Sequence, residues 1–224
     1  SMAYGIDGEK GDGFWLVFDF GGGTFDAALV KVDEGIMQVI DTEGDNHLGG
    51  KDLDNAIVDK IIIPYLEKEY SIKDILSTDE KTKIFKAAMK HYAEDIKIQL
   101  SFNDSYDVLS DIGDIPGTDD DGNELELDLT VSSSELKDAI SPIFQQATDV
   151  CKELLKRNNL KGNDLSTILL VGGPTYSPIL REMLKDQISP NVNTSIDPMT
   201  AVASGAALFA STRACFFVSA VNFL

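Results

Sequence analysis

The sequence predicts a mixed α/β domain that is built from both ends of the chain, with a smaller α+β subdomain inserted between them. Two strand-like runs, residues 14–20 and 24–32, meet at a glycine turn near the start of the chain. Near the end, one apolar strand is followed by two helical patterns. Between these regions, helices and short alternating strands form a stretch of different character. This order of elements predicts one sheet-and-helix domain interrupted by an insertion.

Composition and charge limit the classes of partner. The chain has 224 residues and a net charge of −19, with 43% hydrophobic residues, which is enough for a sizeable core. A surface this negative repels phosphate backbones and anionic lipids, so neither a nucleic acid nor a membrane is an expected partner. Two lone cysteines predict a reducing compartment, and we expect a cytoplasmic protein. The two histidines and the cysteines lack the spacing of a metal site, so no Cys/His metal centre is expected.

The first half of the chain is predicted to hold a strand meander and two helices. A third strand is predicted near residues 39–42, after which Gly49 and Gly50 break the pattern. Helical spacing follows, and Pro64 predicts a kink or a break within it. Asp79 is the predicted cap of a second helix. The apolar residues of these two helices are Leu53, Ile57, Ile61 and Tyr65, then Phe85, Ala88, Met89, Tyr92, Ile96 and Leu100.

The second half returns to the core domain. Residues 104–131 alternate as short antiparallel strands, including 124–129, around an acidic turn. Ser133 or Ser134 is predicted to cap a long helix, and "STILLVGG" reads as a buried strand. Ser177-Pro178 and Asp197-Pro198 each predict the start of a further helix.

These elements predict the domain boundaries. Residues 1–48 and 130–213 form the core subdomain, and residues 49–129 form the insertion. The apolar tail 214–224 is too short to span a bilayer. The sequence leaves open a buried strand, a native end or a cloning remnant for this tail, and favours the remnant.

The stretch "FDFGGGTFD" carries the most informative chemistry. Glycines let several backbone N–H groups face one anion. A strand follows these glycines, whereas a P-loop or a Rossmann fingerprint would place a helix there. The turn therefore predicts a phosphate-facing hairpin, although a plain hairpin has the same pattern. Asp19 and Asp26 flank it, where they would hold hydrated Mg2+ or orient a water.

Two further segments are weaker candidates on their own. In "LVGGPTYSP", Gly172 and Gly173 follow an apolar strand, and ligands commonly bind at the carboxyl ends of strands. In "AEDIKIQLS", Glu94, Lys97 and Ser101 lie at positions i, i+3 and i+7 of one helix face. Alone, the second pattern is typical of a solvated helix face with an ordinary Glu–Lys pair.

Five segments in this order resemble the nucleotide-binding domain of Hsp70-type (DnaK-like) chaperones, from Ala3 to about Arg213. They are "FDFGGGTFD", "GDNHLGGKDLD", "AEDIKIQLS", "LLVGGPT" and "DPMTAVASGAA". The resemblance implies an actin-like (ribonuclease H-like) ATPase lobe that contributes to binding ATP or ADP with Mg2+. It implies that Asp19 and Asp26 lie near the Mg2+ shell and the attacking water. The implied nucleotide contacts are the phosphate loop Gly21, Gly22, Gly23 and Thr24, the hinge strip Gly49, Gly50 and Lys51, the ribose and adenine contacts Glu94, Lys97 and Ser101, and the adenosine loop Gly172 and Gly173 with Tyr176.

The resemblance also implies that the chain is the second lobe of that domain. Segments that the family carries in its first lobe, including a catalytic lysine, have no counterpart here. We therefore expect negligible ATPase activity from this chain alone. For the parent chaperone, the resemblance implies ATP-driven protein folding, with nucleotide-exchange factors, J-domain co-chaperones and unfolded polypeptides as partners.

Several positions depart from the family pattern. Lys51 and Met199 stand where acidic residues are usual, and Ile98 and Tyr176 replace arginines that sandwich adenine in many members. Three alternatives remain at this point. Residues 49–129 could be a docking module for an exchange factor, the chain could be a lobe of another actin or sugar-kinase ATPase, and Asp119–Asn123 could bind Ca2+. The last is disfavoured because its glycine stands at the fourth position, whereas an EF-hand loop has it at the sixth.

Overall fold

The structure, a computed structural model, describes residues 12–34 and 36–207, so the tail 214–224 lies outside the described residues. By its internal contacts the chain divides into two compact units. The first unit contains residues Ser1–Gly49 and Gln146–Leu224, and the second contains Gly50–Gln145.

Seven strands and six α-helical segments follow each other along the described chain. The strands are β1 (Gly13–Phe20), β2 (Phe25–Asp33), β3 (Ile36–Asp45), β4 (Ser105–Leu109), β5 (Asp128–Ser132), β6 (Leu165–Val171) and β7 (Val192–Asn193). The α-helices are α1 (Gly50–Ile57), α2 (Ile63–Glu69), α3 (Asp79–Gln99), α4 (Ser133–Arg157) and α5 (Pro178–Gln187). A π-helical turn (Val58–Ile62) joins α1 to α2, and 3-10 turns cover Gly162–Asp164 and Gly173–Tyr176. Residues 201–207 are also helical.

The first unit is built on a five-stranded mixed sheet. Its strand order is β3-β2-β1-β6-β7. The hairpin β1–β2 and the pair β2–β3 are antiparallel, whereas β6 lies parallel to β1. Because β6 is parallel to β1, both strands end at the same edge of the sheet. That edge carries the glycine turn and the loop after β6.

The central strands β1 and β6 of this sheet carry buried residues on both faces. The rings of Phe18 and Phe25 lie 4.7 Å apart on one face, and Phe20 packs beside them. On the other face, Trp15 and Leu169 belong to a buried apolar cluster. Strands of alternating β-branched and aromatic residues suit this two-sided burial.

The predicted strand meander is present, with one difference. Strand β3 begins at Ile36, before the predicted start near residue 39. The missed residues 36–38 gave a weak signal because Ile36 is mostly exposed, so no alternation of buried and polar positions marks them. A bulge on β3 opposite Leu29 and Val30 also shifts the register in this strand.

In the second unit, Pro64 does not break the helix. The chain passes from α1 to α2 through the π-helical turn, in which Ile63 N donates to the Val58 carbonyl. Pro64 then lies in the first turn of α2. Proline lacks the N–H for an interior helical bond, and its ring clashes with the carbonyl four residues earlier. A single π-helical turn is one of the backbone adjustments that occur at such interruptions.

Two predicted helix caps were wrong by one position. Helix α3 is capped by Thr78, whose hydroxyl accepts from Lys81 N at 3.3 Å, and Asp79 is its first residue. Helix α4 is preceded by Ser132, which exchanges hydrogen bonds with Glu135 in a capping box. Neighbouring serines, threonines and aspartates have similar capping preferences, so the sequence alone does not choose between them.

The alternating stretch 124–129 was predicted as a strand, but β5 begins only at Asp128. Leu125 and Leu127 are nevertheless buried. Strand β5 pairs antiparallel with β4, which matches the predicted hairpin character of residues 104–131.

An ion-pair cluster joins the end of α4 to β3 in the first unit. Arg157 Nε donates to Asp41 at 2.8 Å and its Nη1 donates to Glu43 at 2.6 Å. Asn158 adds a further bond to Asp41. The bonds from Arg157 and Asn158 lower the pKa of Asp41 from 3.8 to about 2.

Arg157→Gln is expected to lower the melting temperature at pH 7. It is also expected to remove part of the fall in melting temperature that acid causes in the wild type. The folded-state pKa of Asp41 lies below the ordinary value, so its stabilising effect is present above about pH 4 and is lost as the pH falls towards 2. The melting curves of the wild type and the variant should therefore converge in acid. Trp15 fluorescence would report the transition, with Lys156→Gln as a control because its ion pair to Glu153 is highly exposed. A constant difference from pH 7 to pH 2 would contradict this assignment.

Candidate functional site

The glycine turn closes the β1–β2 hairpin. Gly21 N donates to the Thr24 carbonyl at 2.9 Å, and Phe20 pairs with Phe25 across the hairpin. Residue alternation turns the phenylalanines into the core, so the residues on either side of them face the opposite side of the sheet. Asp19 and Asp26 are paired in the same register and therefore share that opposite face.

The two carboxylates differ in environment. Asp26 is exposed, whereas Asp19 is half-buried. Burial raises the pKa of Asp19, and the nearby charge of Asp26 raises it further. Two carboxylates that repel each other on one face suit a divalent cation, because a cation would relieve the repulsion. These residues therefore fit a hydrated Mg2+ ion.

Gly49 lies directly against the glycine turn. A Cβ placed on Gly49 would stand 2.5 Å from the Gly23 Cα and 2.6 Å from the Gly23 nitrogen. No side chain fits at that distance, so the residue type at position 49 sets how closely the two backbones approach.

Gly172, which directly follows β6, approaches the same turn. Its φ is +92°, and a Cβ there would stand 2.2 Å from the Phe20 carbonyl oxygen. The positive φ and the close contact both require glycine. The turn Gly21–Thr24, Gly49 and the Gly172 loop, which are far apart in sequence, thus meet at one edge of the sheet.

A groove of about 470 Å3 lies beside the paired carboxylates. Asp19 and Asp26 line it together with Thr42 and Glu43 of β3. Thr42 and Glu43 were not predicted as site residues. They reach the groove because β3 pairs with β2 opposite Ala27 and Ala28. In the sequence, the signal that could have indicated this groove is the pair of small alanines on β2, Ala27 and Ala28.

The loop after β6 carries Gly173 and Tyr176. Gly173 begins the 3-10 turn that ends at Tyr176. The Tyr176 hydroxyl donates to a carboxylate oxygen of Asp197. The predicted site residues of the first unit therefore lie in three places: on the β1–β2 hairpin, at Gly49 beside its turn, and on the loop after β6.

The remaining predicted residues belong to the second unit. Gly50 is buried at the start of α1, and Lys51 is exposed beside it. On α3, Glu94 is exposed, and the Ser101 hydroxyl just beyond the helix donates to the Lys97 carbonyl at 2.9 Å. The i, i+3, i+7 spacing therefore leaves Glu94 on the surface, whereas Ser101 closes the end of the helix.

Lys97 is engaged by a carboxylate that the sequence did not indicate. Its Nζ lies 2.5 Å from Asp54 Oδ1, and each of the two side chains is only 13% exposed. Burial raises the pKa of Asp54, and the bond from Lys97 acts against this shift. This pair links α1 to α3 inside the second unit.

The carboxylates of the acidic turn in the second unit accept hydrogen bonds from nearby backbone and side-chain groups. Asp119 accepts hydrogen bonds from Asp121 N, Asn123 N and Asn123 Nδ2. Asp120 accepts from the Ser71 hydroxyl and from Asp74 N. These contacts fit a hairpin turn.

Residues 12–34 and 36–207 contain neither a clustered metal site nor a membrane-spanning helix. No group of three or more histidine, cysteine or acidic side chains is placed to hold a metal ion among these residues. Within the same residues, no helix combines the length and the apolar character needed to cross a membrane.

Comparisons with known proteins agree on one family. The family model described as "Hsp70 protein" matches residues 1–221. The chain is 34% identical over 210 residues to "Chaperone protein DnaK" of Nitrosopumilus maritimus, covering 93% of this chain and 31% of that protein. It is 34% identical over 213 residues to the DnaK of Methanothermobacter thermautotrophicus, covering 93% of this chain and 33% of that protein. It is 35% identical over 210 residues to the DnaK of Mycoplasmopsis synoviae, with 93% and 33% covered. The chain thus spans about a third of the length of these relatives.

Proposed function

The chain belongs to the Hsp70 family, and on that premise we propose that it is the second lobe of the family's nucleotide-binding domain, holding part of the site for MgATP and MgADP. The observation that carries this proposal is the meeting of three glycine segments beside two paired carboxylates. The backbones of Gly23 and Gly49 are in contact, and Gly172 contacts Phe20, the residue just before the same turn. Such bare backbone suits phosphate oxygens, which need close N–H donors.

Each part of the edge has a role in this proposal. The backbone of Gly21–Thr24 faces the phosphates, and Asp19 and Asp26 hold the water shell of Mg2+. When bound, Mg2+ supplies charge neutralisation between the phosphate oxygens. Asp26, the exposed partner, is the better placed of the two to orient a water molecule. In the second unit, Glu94, Lys97 and Ser101 are proposed to contact the ribose and the base.

The parent chaperone is proposed to use this site for ATP hydrolysis coupled to the binding of unfolded polypeptide. Phosphoryl transfer needs positioning and charge stabilisation from both sides of the phosphates. One lobe supplies one side. We therefore propose that the chain alone binds nucleotide weakly and releases no phosphate above a blank without protein.

Asp19→Asn is expected to weaken MgADP binding about tenfold or more, because it removes a charged acceptor from the Mg2+ shell. Calorimetric titration of the full chain measures this directly. Asp33→Asn is a matched control, since Asp33 is an exposed carboxylate at the far end of β2, the other strand of the same hairpin. Equal affinities of the wild type and Asp19→Asn would exclude the proposed role of this carboxylate.

A second candidate function is a docking module for a nucleotide-exchange factor. It is favoured by the second unit, Gly50–Gln145, which forms a compact body by its own contacts. Such docking would need no nucleotide. A pull-down with the exchange factor of the parent chaperone tests it, and absence of a complex at micromolar concentration would reject it.

A further inference from the structure

Met199 is the most exposed methionine among residues 12–34 and 36–207. It is 65% exposed, whereas Met89 is fully buried and both Met37 and Met183 are half-buried. Met2 lies outside the described residues. Peroxides convert the thioether of methionine to a sulfoxide, and the oxidant must reach the sulfur to do so. Met199 is therefore the methionine of the described residues that a peroxide reaches most easily.

The side chain of Met199 packs on the loop after β6. Its Sδ lies 3.2 Å from the point where a Cβ on Gly173 would stand, so the soft thioether covers bare backbone there. Two hydrogen bonds hold the same segment in place. Gly172 N donates to the Pro198 carbonyl at 3.1 Å, and Met199 N donates to Asp197 Oδ1 at 2.9 Å. Residues 197–199 thus support the first residues of this loop.

This supported loop lies directly against the glycine turn. A Cβ on Gly172 would stand 2.2 Å from the carbonyl oxygen of Phe20, the residue just before that turn. The backbones of loop and turn are therefore in contact, and a displacement of one alters the position of the other. A change in the packing of Met199 on Gly173 is one residue away from this contact.

The thiol of Cys151 is protected from the same oxidant. Cys151 is fully buried, and burial raises the pKa of its thiol. A cysteine reacts as the thiolate, so a buried thiol with a raised pKa is inert. A thioether reacts without losing a proton, and exposure alone makes Met199 reactive. Cys215 lies outside the described residues.

We propose that Met199 is a peroxide-sensitive modification site, and that its oxidation to the sulfoxide loosens the loop after β6 and weakens nucleotide binding. A lone pair on Sδ attacks one oxygen of hydrogen peroxide, the O–O bond breaks as the S–O bond forms, and the other oxygen leaves with both hydrogens as water. Sulfur is oxidised by two electrons and the peroxide is reduced. The sulfoxide is polar and bulkier than the thioether, so it no longer packs on the Gly173 backbone.

The effect on binding rests on the proposed nucleotide site, whereas the modification does not. The full chain is treated with hydrogen peroxide and then with dithiothreitol, which reverses disulfides and cysteine sulfenic acids but leaves the sulfoxide. Peptide mass spectrometry is expected to find the sulfoxide at Met199 forming about fivefold faster or more than at Met89. Calorimetric titration is expected to show MgADP binding weakened about threefold or more, and methionine sulfoxide reductase should restore it.

Three variants assign the effect to one sulfur. Met199→Leu has a similar volume and no sulfur, so its MgADP affinity should stay within about twofold of the untreated wild type before and after peroxide. Met199→Gln places a polar side chain of similar length at this position and should weaken binding without peroxide. Met183→Leu is the matched control, because it removes a half-buried methionine of α5 and should leave the peroxide effect unchanged.

The possible results separate this inference from the function beneath it. If Met89 is oxidised as fast as Met199, or if peroxide weakens binding by Met199→Leu as much as by the wild type, Met199 is not the sensitive site. If the wild type carrying the Met199 sulfoxide binds MgADP as before, the effect on binding is wrong and the nucleotide site stands.

Unfolding in urea tests the loosened loop without any ligand. Trp15, the single tryptophan of the chain, is buried in the first unit and reports its unfolding by fluorescence. The oxidised wild type should unfold at a lower urea concentration than the untreated protein, and treated Met199→Leu should not. An unchanged midpoint would overturn the loosening. If the untreated wild type binds no MgADP, the proposed function fails and the effect on binding fails with it, while mass spectrometry and this midpoint still decide the modification site and its effect on the loop.

Discussion

Gly172→Ala is expected to destabilise the first unit by about 3–5 kcal/mol, because it combines a disfavoured backbone conformation with a steric clash. The φ of +92° is costly for any residue with a Cβ, and that Cβ would stand 2.2 Å from the Phe20 carbonyl oxygen. Gly49→Ala is expected to cost about 2–3 kcal/mol through its clash with the Gly23 backbone. Both substitutions should also weaken MgADP binding, since the glycine turn must move to make room.

Gly22→Ala is the matched control for both variants. Gly22 lies in the same turn, its φ is outside the left-handed region, and a Cβ placed there meets nothing within 4 Å. Its stability should stay within about 0.5 kcal/mol of the wild type. Urea unfolding followed by Trp15 fluorescence isolates the first unit, because this single tryptophan is buried in that unit's core. If Gly172→Ala unfolds at the same urea concentration as Gly22→Ala, the packed contact between the loop and the turn does not exist in solution.

Lys97→Met is expected to destabilise the second unit by about 3 kcal/mol at pH 7. The substitution leaves the carboxylate of Asp54, which is 13% exposed, without its cation. Removing one member of a buried pair costs more than the pair contributes, because the remaining charge stays desolvated. Lys86→Met is the matched control, since the Lys86–Asp59 pair is more exposed, at 34% and 44%. Its effect should stay below about 1 kcal/mol.

The pH dependence of Lys97→Met identifies the cause of the loss. Burial already raises the folded-state pKa of Asp54, and removing Lys97 takes away an influence that lowers it. A carboxyl group with a raised folded pKa costs stability above that pKa, and the cost disappears once it is protonated in both states. The loss should therefore shrink as the pH falls towards 4. In the double variant Asp54→Asn/Lys97→Met much of the stability should return, as measured by helical circular dichroism. A loss that is independent of pH and persists in the double variant would point to lost packing around the lysine stem.

Local signals in the sequence predicted most of the fold, and long-range contacts account for what they missed. The β1–β2 hairpin follows from alternating residues around three glycines, which is a short-range pattern. The π-helical turn before Pro64 was seen only as an interruption, because proline shows that a helix is disturbed but not how the backbone adjusts. The caps at Thr78 and Ser132 each lie one residue before the predicted position, since adjacent residues have similar capping chemistry.

The candidate site divides in the same way. Asp19 and Asp26 could be placed together from the sequence, because hairpin register puts them opposite each other. The approach of Gly172 to that hairpin depends on the parallel pairing of β1 with β6, which no spacing in the sequence specifies. The Lys97–Asp54 pair was missed because it joins two helices, and Glu94 had offered a nearer partner on the same helix face.

Strand β3 has a consequence for association between chains. It lies at one edge of the five-stranded sheet, and its residues Ile36, Val39 and Ile40 are exposed. An apolar edge strand is a template on which further strands can add, which favours aggregation. The bulge on β3 interrupts that template, and the Arg157 cluster at Asp41 and Glu43 sets charged side chains along its second half. The same arginine that fastens α4 to the sheet thereby helps to keep this edge from recruiting a second chain.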